Sequence, residues 1–166
     1  MTDTSDRLAL PLIAPGQAQK EMTHNEALAR LDIMVQPVVQ AVAPPSVPAS
    51  PTLGQCWIVG MGATGAWAGQ DGAFAAWTAG GWRFVVAFEG MTAWSIADAM
   101  LVIRRGATWL IGQVNAQQIR INNVPLLTAQ QPGIAMPVGG SLVDGESRAV
   151  ITAIIATLRT HGLIAT

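Results

Sequence analysis

The sequence predicts an α+β protein with an N-terminal extended strip and long helix, a small Trp/Gly-rich antiparallel β module, and a C-terminal amphipathic helix. Two segments carry apolar residues at helical three-four spacing, one near each end of the chain. Between them, short apolar runs alternate with glycine-containing turns, and all six tryptophans lie in that stretch. We therefore expect four segments, residues 1–42, 43–55, 56–130 and 131–166.

The first segment opens with LALPLIAP, whose two prolines favour an extended strip. A helix is predicted from about Gln17 to Gln36, ended by Pro37. Its apolar stripe is expected to pack on a sheet or on symmetry copies of the helix; the stripe comprises Ala27, Leu28, Leu31, Met34 and Val35. The interface residues predicted in this segment are Leu10, Leu12, Ile13, His24, Leu28, Leu31 and Val35.

The proline-rich run APPSVPASP (43–51) predicts a stiff connector. After it we expect a strand at 56–59, a hairpin of 74–77 with 82–86, a second hairpin of 100–105 with 108–114, and a smaller third hairpin within 117–127. Tryptophans can fill the core of a thin sheet. Trp67 and Trp94 are the two expected to be exposed, where they would be candidate glycan contacts.

The C-terminal helix has signals at both ends. Asp144 is placed to cap its N-terminus, Glu146 lies in its first turn, and Gly162 suits a left-handed residue after its last turn. Its apolar face comprises Val150, Ile151, Ile154, Ile155 and Leu158. Of these, Ile151, Ile154 and Leu158 are predicted to contact other copies.

The composition favours assembly. Only 11% of residues are charged, against about 25% in ordinary soluble domains, and 51% are hydrophobic. The two long uncharged stretches, 33–70 and 121–143, are broken by prolines, so we expect no membrane insertion. The net charge is −1 and only Arg104 and Arg105 are adjacent cations, so nucleic acid is not an expected partner. A homo-oligomer, trimeric or pentameric, explains the apolar surface.

No motif points firmly to catalysis or a cofactor. GMGATG (60–65) matches a dinucleotide fingerprint, but AWAGQDG follows it and cannot open the helix that such a site needs. We expect a turn there and no cofactor. His24 and His161 lack metal-ligand spacing, and the lone Cys56 is expected to be a small buried hydrophobe.

Two alternatives to a purely structural protein remain. One is a glycan-binding module that uses exposed tryptophans. The other is a small polysaccharide-cleaving enzyme, which requires two facing carboxylates. The candidates Asp71, Glu89 and Asp98 lie in predicted turns, where solvated residues are the usual case, so we expect no enzyme.

Three motifs carry a family resemblance: LPLIAPGQAQKEMTHNEALARLD (10–32), GATGAWAGQDGAFAAWTAGGWRF (62–84) and GATW (106–109). Together they resemble an uncharacterised-domain family of alphaproteobacterial prophages and gene-transfer agents, over about residues 9–109. The resemblance implies a virion component made in the bacterial cytoplasm, and for gene-transfer agents a head-spike base. Such a base would join a capsid or tail protein to a fibre that binds the host surface, and the resemblance implies no catalytic residues.

Overall fold

The computed structural model describes residues 4–14, 16, 20–140 and 144–165. It confirms the α+β class. The chain divides into two units, Met1–Gln113 and Val114–Thr166, so the boundary falls inside the segment 56–130 that the sequence groups as one β module. The predicted N-terminal helix is present as α1, whereas residues 17–19 of the prediction lie outside the described residues.

The N-terminal unit contains α1 (Lys20–Met34), β1 (Val38–Val39), β2 (Cys56–Ile58), a short 3-10 helix (Gly65–Trp67), β3 (Phe74–Thr78), β4 (Gly81–Val85), β5 (Thr92–Ser95), β6 (Met100–Arg105) and β7 (Thr108–Ile111). β2, β3 and β4 form an antiparallel three-stranded sheet. The other strands form a four-stranded sheet in the order β1-β5-β6-β7. Both predicted hairpins, β3–β4 and β6–β7, are confirmed.

β1 pairs with β5 in parallel, and the remaining pairs of the four-stranded sheet are antiparallel. Parallel pairing is possible because the long segment between the two strands gives the chain room to return in the same direction. A two-residue strand has no detectable periodicity, so the sequence did not indicate β1.

The core lies between the two sheets and one end of α1. Strand alternation sends every second side chain of β2 and β3 into it. Its buried members are Ile33, Val39, Cys56, Ile58, Phe74, Ala76, Met91, Ala93 and Val102. The other face of the three-stranded sheet carries a second buried cluster of Trp57, Val59, Trp67 and Ala75.

The proline-rich connector is packed against this second cluster. Ala43 donates a backbone hydrogen bond to the Ile58 carbonyl, at 2.8 Å. The Val47 side chain contacts the cluster. The segment therefore joins helix to sheet as predicted, but it also covers one sheet face.

The C-terminal unit contains β8 (Ile119–Ile121), β9 (Val124–Leu127) and α2 (Gly145–Thr160). The third hairpin and the C-terminal helix are thus confirmed. Asp144 caps α2 by accepting a hydrogen bond from the Ser147 N–H at 2.9 Å. At the other end Gly162 has φ of 69°, and Leu163 donates to the Leu158 carbonyl at 2.9 Å. This is the predicted left-handed ending.

This unit has almost no core of its own. Among its described residues, only Ile155 and Ile164 are buried hydrophobics. Two-stranded hairpins and single helices are marginally stable in water unless they pack on something. Within the described residues, no helix combines the length and the apolar character that a membrane crossing requires.

Candidate functional site

The N-terminal strip is fastened to α1 by a buried carboxylate. Asp32 accepts hydrogen bonds from the Ser5 hydroxyl at 2.7 Å, the Arg7 N–H at 2.9 Å and the Leu8 N–H at 2.6 Å. A carboxylate can accept several donors at once, and a buried one needs them. The strip is thereby held against the C-terminal end of the helix.

The Arg7 guanidinium adds a second tie by donating to the carbonyls of Asp32, Val35 and Gln36. These carbonyls lie at the end of α1, where the helix offers them no N–H partner. A cation there also interacts favourably with the helix dipole. Arg7 therefore caps α1 from outside the helix.

Further along, the Asn25 side chain exchanges two hydrogen bonds with the backbone of Ile13, at 2.9 and 3.0 Å. Asn25 and Asp32 are seven residues apart and so lie on one side of α1, two turns from each other. The predicted interface residues Leu10, Leu12 and Ile13 are half-buried in the strip. Asn25 and Asp32, two polar residues of the motif at 10–32, thus fasten the strip to α1.

An open cavity of about 370 Å³ lies between the strip, α1 and the β3–β4 turn. Its carboxylates are all engaged: Asp32 holds the strip, Asp6 accepts from the Ala79 N–H at 3.2 Å, and Glu26 pairs with Arg30 and Arg83. This cavity could not be predicted from the sequence, because its walls come from three segments that are distant along the chain. Each of these three carboxylates thus joins two segments of the chain or pairs with an arginine.

The predicted stripe of α1 is not the face that packs on the core. Ile33, which is 3% exposed, enters the core together with Met34, whereas Leu31 and Val35 are 49% and 48% exposed. At 3.6 residues per turn Leu31 and Val35 lie about 160° from Ile33. Of the two alternatives for the stripe, packing on the core is seen for Met34, and packing on symmetry copies stays a prediction.

The predicted interface residues His24, Leu28 and Leu31 lie on one face of α1, and Val35, the first residue after the helix, continues that face. Their spacing of four, three and four residues is that of a helix-packing seam. Leu28 is half-buried and His24 is exposed, its Nδ1 lying 2.8 Å from the Lys20 carbonyl. The structure thus places these four residues together on one solvent-facing side.

The tryptophans form a cluster on the outer face of the three-stranded sheet. The Trp82 ring lies 5.6, 5.2 and 5.1 Å from those of Trp57, Trp67 and Trp77, each in a tilted or edge-on contact. Core packing of tryptophan, the favoured interpretation, is confirmed for Trp57 and Trp67.

The expected exposure of Trp67 is wrong, since its side chain is 2% exposed. The 3-10 turn of Gly65–Trp67 folds the glycine-rich loop back over the sheet and inserts this ring between its neighbours. A buried ring cannot stack on a sugar, so Trp67 is removed as a glycan contact.

Trp94, by contrast, is 43% exposed on β5. Val38 of β1 and Leu101 of β6 lie directly opposite it in the sheet, and both are exposed. Cross-strand neighbours are about 5 Å apart, so the three side chains form a continuous apolar row across three strands.

The glycine-rich motif GMGATG (60–65) forms a turn, as the sequence predicts. Asp71 accepts hydrogen bonds from the N–H groups of Gly62 at 2.8 Å and Ala63 at 3.1 Å. These bonds lower the pKa of the Asp71 carboxyl below its usual value. The loop N–H groups that a bound phosphate would need are thus already donated to the protein's own carboxylate.

Glu89 and Asp98, the other two carboxylates of the β region, also accept hydrogen bonds from the protein itself. Glu89 accepts from the Gly106 N–H at 2.6 Å and lies 3.8 Å from Arg105. Asp98 accepts from the Ser95 hydroxyl. Within the described ranges, no group of three or more His, Cys, Asp or Glu side chains is arranged to hold a metal ion.

In the C-terminal unit α2 has one covered and one open side. Arg148 donates to the carbonyls of Pro137 and Gly139, and Arg159 donates to that of Ile134. Segment 134–139 therefore runs along the side of α2 that carries the buried Ile155. Roughly 120° around the helix lies an open side with Val150 and Ile154, which are 59% and 54% exposed.

The predicted interface residues Ile151 and Leu158 flank this open side, Ile151 exposed and Leu158 half-buried. The structure thus gathers Ile151, Ile154 and Leu158 on one face, as the sequence periodicity predicts. Thr157 lies on the same face. Because its side chain is polar, the apolar periodicity of the sequence does not mark it as an interface residue.

Comparison with known proteins gives one family. A search of curated proteins returns no significant match. A family model described as "Protein of unknown function (DUF2793)" matches residues 24–110, which cover the open face of α1 and both sheets. The resemblance to an uncharacterised domain family is confirmed, although the matched region begins at His24 and leaves out the N-terminal strip. Because this model matches more than half of the chain, the protein belongs to the DUF2793 family.

Proposed function

We propose that this chain is a structural component of a phage or gene-transfer-agent particle: a homo-oligomeric head-spike base or adaptor that links the particle to a receptor-binding fibre. The observation that carries the proposal is the pair of apolar helix faces, on α1 and α2, that stay exposed among the described residues. The motif resemblance noted above supplies the particle context.

Covering the apolar face of α1 would stabilise an assembly. Burying a Val, Leu or Ile side chain fully stabilises a protein by about 1.5–3 kcal/mol. Leu31 and Val35 are about half exposed, so each would contribute about 1 kcal/mol on covering. The α2 face and the β8–β9 hairpin add several further side chains of similar exposure. Together these terms are large enough to offset a substantial part of the entropy cost of association.

The assembly expected from this surface is symmetric, because each copy carries the same faces. A trimer would suit a fibre and a pentamer would suit a capsid vertex. The N-terminal strip is clamped to α1 in each protomer, so Leu10, Leu12 and Ile13 would enter an interface as part of a rigid unit. A capsid or tail protein and a fibre protein are the proposed partners, and the chain would reach the virion from the bacterial cytoplasm.

The proposal assigns the chain no catalytic role. Asp71, Glu89 and Asp98 each hold a turn through hydrogen bonds. A glycosidase needs its carboxylates turned towards a substrate groove with separated pKa values. The turn contacts favour structural carboxylates over a catalytic pair.

The test is to purify the particles from the bacterium that encodes the chain and to quantify each protein by mass spectrometry. The proposal expects the chain in intact particles at a fixed ratio to the capsid protein, three or five copies per spike. Its absence from particles that still carry their fibres would refute the adaptor role.

A second candidate, a glycan-binding module, is favoured by one observation, the exposed Trp94 in its apolar row. Sugar rings stack on exposed aromatic faces, and titration with capsular polysaccharide would then quench tryptophan fluorescence. Trp94→Ala serves as the control, because it removes only the exposed ring. Equal fluorescence changes in the wild type and the Trp94→Ala variant, or no change at millimolar sugar, would exclude Trp94 as the contact.

A further inference from the structure

A small cavity of about 200 Å³ lies between the β6–β7 hairpin and the residues that follow β2, all within the N-terminal unit. Arg104 of β6 and Trp109 of β7 are paired in the hairpin, and both line the cavity. Arg104 follows the buried Val102 by two residues, so strand alternation turns its side chain to the core side of the sheet. Its guanidinium carbon lies 5.9 Å from the centre of the Trp109 ring. The cavity therefore has a cation beside an aromatic wall.

The Arg104 guanidinium has no acceptor of its own. It is half-buried. Within the described residues, the ion pairs involve other arginines, and no oxygen accepts a hydrogen bond from this guanidinium. The adjacent Arg105 lies on the opposite face of β6 and pairs with Glu89 at 3.8 Å. A guanidinium carries five N–H donors, and leaving them partly desolvated without an acceptor costs free energy. The donors of Arg104 are thus available to a ligand in the cavity.

Gly72 keeps space free beside this guanidinium. A Cβ on Gly72 would lie 2.8 Å from Arg104 Nη1, and the glycine has φ of 73°, which residues with a side chain rarely adopt. The carbonyl of the same glycine accepts a hydrogen bond from Trp109 Nε1 at 2.9 Å. Gly72 therefore leaves the cation uncovered and also fixes the aromatic wall.

The other walls indicate the class of ligand. They are mostly apolar and include Val42, Ile58, Met61 and Ala107, so Arg104 is the one charged residue that lines the cavity. One cation matches one negative charge, and the guanidinium fork fits the two oxygens of a carboxylate. A phosphate group brings about two negative charges, and a sugar would turn several hydroxyls towards apolar walls. A dry cavity of roughly 150 Å³ holds a benzene ring, so this one suits an apolar body of about six carbon atoms.

We propose that this cavity binds a carboxylate carried on a small apolar body, with Arg104 holding the carboxylate and Trp109 contacting the apolar part. Two sources share this chemistry: a free branched-chain or aromatic acid, and the C-terminal residue of a polypeptide that ends in leucine or phenylalanine. Met61 is 77% exposed and Thr108 is also exposed, so the mouth of the cavity faces solvent. The inference does not depend on the proposed role in a particle.

The first experiment titrates the full wild-type chain with isocaproate and with its neutral amide, isocaproamide, by ligand-observed NMR. The two probes share the apolar body and differ in charge. The proposal expects isocaproate to bind in the millimolar range and isocaproamide to bind about tenfold more weakly or less. Equal binding of the two probes, or no binding of either, would overturn the proposal. Displacement of isocaproate by an equal concentration of inorganic phosphate would also overturn it.

The second experiment compares Arg104→Gln with Arg105→Gln. Each variant removes one arginine from adjacent positions of β6, but only Arg104 lines the cavity. The proposal expects Arg104→Gln to weaken isocaproate binding about tenfold or more and Arg105→Gln to leave it unchanged. The same effect in both variants would refute Arg104 as the anchor. Circular dichroism checks that both fold, and the acid–amide comparison on the wild type decides the question if Arg104→Gln does not.

A third measurement separates the two sources. A short peptide with a free C-terminal leucine is compared with the same peptide carrying a C-terminal amide. Binding of the free-carboxylate peptide but not of the amide assigns the cavity to a chain end. Binding of isocaproate without either peptide assigns it to a free acid. Equal binding of both peptides would contradict recognition of the carboxylate.

Discussion

The carboxylate of Asp32 accepts a hydrogen bond of 2.6 Å from the backbone N–H of Leu8, across 24 residues of sequence. Two more donors, from Ser5 and Arg7, reach the same carboxylate. This contact fixes the strip on the side of α1 that carries Asp32, whereas Leu31 and Val35, about 100° and 60° around the helix from it, are half exposed. The strip therefore covers one side of the helix, and the adjoining apolar side stays exposed.

Asp32→Ala is expected to destabilise the protein by about 2–3 kcal/mol, because it leaves three part-buried donors without their acceptor. The released strip should also become sensitive to trypsin after Arg7, whose guanidinium is otherwise bound to three carbonyls. Urea unfolding and limited proteolysis measure the two effects. Glu26→Ala, on the same helix, removes only partly exposed ion pairs and should cost less than about 1 kcal/mol.

Trp67→Ala is expected to reduce the free energy of unfolding by about 3–5 kcal/mol, because it removes the most deeply buried ring of the tryptophan cluster. Trp94→Ala should change the free energy of unfolding by less than about 1 kcal/mol, since that ring is 43% exposed. Chemical denaturation of the two variants makes the comparison. Similar losses would show that the cluster does not support the sheet as described.

Stability should fall as the pH rises from about 9 to 11. Burial raises the pKa of the Cys56 thiol from 9.0 to about 11, so the folded state keeps a proton that the unfolded state loses. The contribution is complete below pH 9 and is lost by about pH 11, with a size of about 3 kcal/mol. The chain has no tyrosine and a single lysine, so few other groups titrate in this window.

Denaturation midpoints across this pH range, compared with those of Cys56→Ala, isolate the thiol. The variant should show a flatter profile. Parallel profiles would mean that Cys56 is accessible in the folded state.

Gly162→Ala should destabilise α2 by about 1 kcal/mol, because Gly162 has φ of 69° and an L-residue is strained there. Gly145→Ala is the matched control at the other end of the helix, where φ is not positive and an added Cβ meets no atom within 4 Å. It should be neutral or slightly stabilising. Thermal melts followed at 222 nm report both.

Local patterns in the sequence predicted most of the elements. Alternating apolar residues and glycine turns predicted both large hairpins, and Asp144 and Gly162 marked the ends of α2. These features depend on residues close together in the chain, where propensity and capping rules apply directly.

The inward side of α1 could not be predicted, because it is built from contacts across long sequence distances. Asn25 and Asp32 look like surface residues until the strip supplies their partners. The burial of Trp67 could not be predicted for a similar reason, because only the folded loop shows that its ring packs on the sheet. The spacing of the apolar residues on the exposed face of α1 makes that face an interface candidate, and the structure adds that Leu31 and Val35 are half exposed.

Light scattering of the full chain after gel filtration, at micromolar concentration, tests the assembly account most directly. The account predicts a single species at three or five times the protomer mass of 17.3 kDa. A homogeneous 17.3 kDa monomer that remains folded and soluble would contradict it, because the exposed faces of α1 and α2 would then need no partner copy.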